Sequence, residues 1–127
     1  MSIVTQLPAD NSHFISVSTA VDMTTTYRAE KENILASAYQ NQDILPLSET
    51  FNRNALDTLL ALEGCEGIRI YYGMDENLKV HAILVGVTEE NTDILPSVSL
   101  TETEDEFVVE IGQRCPVDCP PGSVLNS

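Results

Sequence analysis

The apolar residues of this chain change their spacing once, near Gly67, and that change limits the folds open to it. Upstream they recur at three and four residues, the repeat that lines one face of a helix. Downstream they alternate, the repeat that lines one face of a strand. Helices followed by strands describe an α+β chain rather than a regularly alternating α/β one. At 127 residues the chain is long enough for one domain with an ordinary core.

Ala20, Met23, Tyr27, Ile34 and Ala38 form the first helical row, with Arg28, Glu30, Lys31 and Glu32 on a wet face. Before it, Phe14–Thr19 reads equally as a short strand or as a helix opening at Ser16. The Asn41-Gln42-Asp43 cluster and Pro46 end this element. A second helix of about four turns is predicted from a Ser48 cap to a left-handed stop at Gly64, with Phe51, Ala55 and Leu59 in one row. Past Gly67, Ile68, Ile70 and Tyr72 point one way and Arg69 and Tyr71 the other. Leu78–Val87 follows across Gly73–Asn77, so the two runs read as an antiparallel hairpin. The second strand is apolar on both faces from Ala82 and is expected at the sheet's centre, with Gly86 at a bulge or close backbone approach.

Residues 88–106 are acidic and polar, with Ile94-Leu95-Pro96 as an apolar clip, and Phe107–Ile111 is the last expected strand. The fold expected is two helices on one face of a three- to four-stranded antiparallel sheet, with the strands mostly C-terminal. Residues 1–114 form the domain, 1–12 a loose arm, and 115–127 a tail rich in cysteine and proline. The tetrapeptide Asp-Ile-Leu-Pro occurs at 43–46 and 93–96, but its surroundings differ in period, so it marks no repeat.

Six Lys and Arg against 20 Asp and Glu give a formal charge of −14. Such a field disfavours nucleic acid and anionic membranes, and suits solubility or a basic protein partner. No apolar run reaches the roughly 20 residues of a membrane span, and the first residues carry no basic-then-apolar leader pattern. A cytoplasmic protein is therefore expected. Size and charge leave monomer and homodimer both open.

Chemistry is concentrated in Cys115-Pro116-Val117-Asp118-Cys119-Pro120-Pro121. Proline removes a backbone donor and fixes φ, so an extended, solvent-facing segment is expected. Zinc or iron would need Cys115 and Cys119 completed by Cys65 and His81. The three-residue spacer is not that of a zinc knuckle, and a reversible Cys115–Cys119 disulfide or two unengaged thiols fits better, so no cofactor is expected. Cys65 fits a buried apolar site at the helix–strand junction. His81 starts a strand and reads as a hydrogen-bonded sheet residue, nothing positions His13, and Asp75 and Glu76 read as turn chemistry. Arg69 and Tyr71 could form a surface patch with Lys79 opposite, since Arg and Tyr favour interface centres, and ordinary cross-strand pairing is the alternative.

Three segments taken together resemble a group of small bacterial proteins of unknown function. They are Ala20-x-x-Met23-Thr24-x-x-Tyr27-Arg28, the run Gly64-Cys65-x-Gly67 through Gly73-Met74-Asp75-Glu76-Asn77 to Val87, and the Cys-Pro…Cys-Pro-Pro tail. The resemblance covers residues 16–121 and implies that hairpin and tail belong to one unit; it carries no functional residue. With no phosphate loop, nucleophile elbow or positioned acid and base, an enzyme is not expected. The expectation is a protein-interaction module, using the open sheet face or Pro116, Pro120 and Pro121 of the tail. A metal or redox sensor and an acidic inhibitor of a basic target are the alternatives.

Overall fold

A computed structural model describes residues 6–10, 12–96 and 107–126. The first five residues of the arm and the Thr101–Glu106 acidic run lie outside them. The chain is α+β, with helices α1 (Val17–Glu30) and α2 (Arg53–Leu60) and strands β1 (Ser48–Thr50), β2 (Gly67–Met74), β3 (Val80–Val87), β4 (Val108–Val109) and β5 (Gln113–Cys115). The expected single sheet is instead two antiparallel ones, β2-β3-β4 and β1-β5, with β3 central in the first. Two compact units result. The first holds 6–10, 50–73, 82–96 and 107–112 of the described residues, the second 12–49, 74–81 and 113–126.

In the first unit α2 is half the expected length. Asn52, not Ser48, caps it, its side chain accepting from Ala55 N at 2.8 Å. Asn caps as well as Ser does, and Ser48 is taken by β1, a tertiary pairing that the helical pattern could not show. Leu59, fully buried, is its core anchor. Gly64 is left-handed at φ +80°, as the stop required. A Cβ on Gly86 would lie 2.9 Å from Cys65 Sγ and 3.4 Å from Leu59 O, so the close-approach reading of that glycine holds. Leu7 is held rather than loose: its N–H donates to Glu89 O at 3.2 Å, and its side chain sits against Gly67. Ile94 acts as the expected clip, donating to Gly86 O at 2.8 Å beside the Val87–Asp93 bridge. The last strand shrinks to β4, pairing Val109 with Leu84 and Val108 with Val85, and leaves Ile111 exposed.

In the second unit α1 opens on Ser16, the helical one of the two readings of Phe14–Thr19, and the Ser16 hydroxyl accepts from Thr19 N at 3.1 Å. It stops at Glu30, short of Ile34 and Ala38. The Glu32 carboxylate accepts from Asn41 N at 2.5 Å and from Lys31 Nζ at 2.6 Å, which closes a local turn in competition with a further helical one. Ile34 is therefore 72% exposed, and Met23 also faces solvent. The half-buried side of α1 is instead Ala20, Val21, Thr24, Tyr27 and Arg28. That face has proper helical spacing but mixed polarity, which is why an apolar count misses it.

The second unit's polar centre is Arg114, 9% exposed. Its Nε donates to Val80 O at 2.9 Å, and its terminal nitrogen donates to Asp43 O at 2.5 Å and Ile44 O at 2.8 Å. One guanidinium thus satisfies carbonyls from two separate chain segments, as its planar fork permits. Val80 N also donates to Ile44 O at 2.8 Å, and Leu47 N to Cys115 O at 2.7 Å. Arg114→Ala is expected to cost about 2 kcal/mol by removing the side-chain donors to Val80 O and Asp43 O, while Ile44 O keeps Val80 N, with Arg114→Lys intermediate; urea unfolding measures both.

Candidate functional site

The tail faces solvent as its prolines suggest, residues 117–125 all being exposed, but it is not a detached extended arm. Cys115 closes β5 and is 4% exposed, because β5 pairs with β1. The prolines all follow the strand, so none has to donate within it. Beyond Cys115 the chain turns, Asp118 N donating to Arg114 O at 3.0 Å, and Cys119 returns to form a disulfide with Cys115. Cys119 is exposed while Cys115 is buried, so the two sulfurs of one bond differ in access.

The returning tail faces α1. Arg28 donates to Leu125 O at 2.8 Å, and Tyr27 Oη donates to Pro46 O at 2.6 Å. Burial raises the Tyr27 phenol above its ordinary value of 10.0, the nearby Arg114 partly opposing it. Asn126 locks the last turn, its side chain accepting from Ser123 N at 2.6 Å and donating to Pro121 O at 3.0 Å. Between helix and tail lies a cavity of about 560 Å³. Leu47, Leu125, Pro120, Pro121 and the disulfide supply its apolar wall; Thr24, Tyr27, Arg28, Ser48, Ser123 and Asn126 supply the rest. Pro116 is half-buried and does not line it.

The structure does not gather the four ligands considered for zinc or iron. Cys65 belongs to the first unit, where its thiol donates to Gly67 O at 3.3 Å. Cys115 and Cys119 are bonded to each other, and a disulfide sulfur is not the thiolate that zinc takes. His81 is held within the hairpin turn, Nε2 lying 2.8 Å from Asp75 Oδ2 and Nδ1 3.9 Å from Glu49 Oε2. Asp75 organises that turn, its other oxygen accepting from Asn77 N at 2.8 Å and Lys79 N at 3.0 Å. Lys79 enters through its backbone.

Arg69 and Tyr71 form a pinned cluster rather than an open patch. Arg69 bonds the Asp93 carboxylate and the Asn91 side chain, and donates to Asn91 O at 2.8 Å. Tyr71 Oη donates to the other Asp93 oxygen, and the guanidinium stands 5.9 Å from the Tyr71 ring centre. The open surface is on the opposite face of β2. Gly67 approaches Val87 and Gly73 approaches Ile83, so Arg69 and Tyr71 share the face of Ile83, Val85 and Val87. Ile68, Ile70 and Tyr72 then share the face of Leu84 and Gly86, the side that α2 covers near Gly86. Eight helical residues span about 12 Å and eight strand residues about 26 Å, so α2 reaches only part of it. Ile70 is exposed and Tyr72 is 77% exposed.

No protein-family model, curated protein or solved structure matches this chain. Among the described residues, no helix is long and apolar enough to cross a membrane.

Two outcomes follow from this geometry. The His81 hydrogen bond, then the backbone donors Lys79 and Asn77, hold the Asp75 carboxyl below its ordinary value of 3.8. Its contribution to stability is complete above that value and disappears as pH falls through the lowered one. NMR titration is expected to place the Asp75 midpoint below 3.8, and His81→Ala to move it back towards that value. Opening the disulfide, by reductant or by Cys115→Ser with Cys119→Ser, is expected to cost about 2 kcal/mol through the short loop it closes, as read by urea unfolding.

Proposed function

We propose that this protein is a small, non-catalytic protein-interaction module that engages its partner through the uncovered end of β2. The observation that carries the reading is Tyr72, 77% exposed beside exposed Ile70 on an edge strand. A soluble chain gains nothing from an exposed aromatic and aliphatic pair alone, whereas tyrosine flanked by apolar surface is typical of interface centres. Among the described residues no strand pairs the outer edge of β2, so a partner could add backbone hydrogen bonds there as well. At −14 formal charge, a second copy of the chain is repelled and a basic partner with an apolar centre is attracted.

Ile70→Lys with Tyr72→Ser should leave the fold intact and abolish retention of a basic protein that the natural sequence captures from the source cells. That retention should weaken steeply as salt rises. Identical retention by both proteins overturns the reading, and so does a dimer in sedimentation that the double substitution dissolves. In the reducing cytoplasm expected for this chain, the Cys115–Cys119 pair would rest as the dithiol, and a two-electron oxidant such as a peroxide would be needed to form the disulfide. A second, redox reading rests on the unequal exposure of those two sulfurs.

A further inference from the structure

The geometry points to a ligand site in the second unit, separate from the β2 surface: the cavity between α1 and the folded-back tail takes a small apolar monoanion of the fatty-carboxylate type. At about 560 Å³ it has the volume of an ordinary small-molecule site. Its wall is mainly apolar, built by Leu47, Leu125 and the Cys115–Cys119 disulfide, and suits a hydrocarbon body.

Charge decides what the head group must be. The chain carries 20 Asp and Glu, yet among the described residues no carboxylate side chain lines this cavity, and Arg28 is the one charged side chain that does. Three other cations have acceptors of their own: Lys31 pairs with Glu32, Arg69 with Asp93, and Arg114 donates to the carbonyls of Val80, Asp43 and Ile44. Both hydrogen bonds of the Arg28 guanidinium go to neutral oxygens, Leu125 O at 2.8 Å and Thr25 Oγ1 at 3.4 Å. Among the described residues no carboxylate forms an ion pair with it. A guanidinium bordering an apolar cavity, in a chain otherwise dominated by negative charge, selects an anion over a cation or a neutral amphiphile.

The alcohol of equal length is the informative comparison, since it fills the same space without the charge. Calorimetric titration of the full chain with decanoate is expected to saturate at one site, and 1-decanol to bind roughly tenfold more weakly. Arg28→Gln keeps an amide donor for Leu125 O and should lower decanoate affinity about tenfold while leaving decanol unchanged. Ser48→Asp, which brings a carboxylate to the lining, should have the same effect without touching Arg28. Amide chemical-shift changes on titration should gather on α1 and residues 115–126. No saturable binding, equal affinity for acid and alcohol, or shifts gathered at Ile70 and Tyr72 would each overturn the assignment. None of these results bears on the β2 partner.

Discussion

Arg114 is the interaction on which the second unit depends. A buried guanidinium is tolerable only when it finds acceptors, and here they are the backbone carbonyls of Val80, Asp43 and Ile44. The arrangement solves two desolvation problems at once. It secures the Asp43-Ile44 segment and the start of β3 against β5, and so fixes where Cys115 can lie. With Cys115 set, the disulfide and the turn at Asp118 determine the path by which the tail returns to α1.

That dependence explains how a helix with exposed apolar residues is held. Its apolar residues Met23 and, just beyond it, Ile34 point outward, while Thr24, Tyr27 and Arg28 point towards the tail. The helix is held by specific polar contacts, Tyr27 to Pro46 O and Arg28 to Leu125 O, more than by a packed stripe. Polar contacts across a helix–tail junction leave space between them where an apolar core would have closed it. The cavity is the consequence. In the first unit the opposite regime holds: Leu59 is fully buried, Gly86 admits no side chain, and packing is close.

The legible parts of the fold were those written in local period and turn chemistry. The β2–β3 hairpin, the central place of β3, the left-handed Gly64 and the close approach at Gly86 follow from alternation and from glycines set where a side chain would be costly. Ser48 and Glu49 read as a helix start because the same residue types cap helices and occupy short edge strands. Only the pairing of β1 with β5, more than sixty residues apart, distinguishes the two. Of the candidate site residues, Cys115, Cys119, Pro120 and Pro121 do meet in one place. His81 does not line the cavity there, Arg28 was read on the wet face of α1 and is half-buried there instead, and Arg114 gave no signal beyond being one of six basic residues in an acidic chain.

By itself, then, the sequence determined the α+β class, the hairpin and its turn, the strongly acidic field and the concentration of cysteine and proline in one segment. Each is a property of composition or of neighbours within a few residues. Tertiary structure alone decided which face of β2 stays open, because Asn91 and Asp93 engage Arg69 and Tyr71 on one face while the eight residues of α2 cover only part of the other. It also decided that the tail folds back, because the Arg114 guanidinium and the Arg28 contact with Leu125 join residues that no local pattern relates. Long-range satisfaction of buried polar groups has no period, and a linear reading has nothing to detect it by.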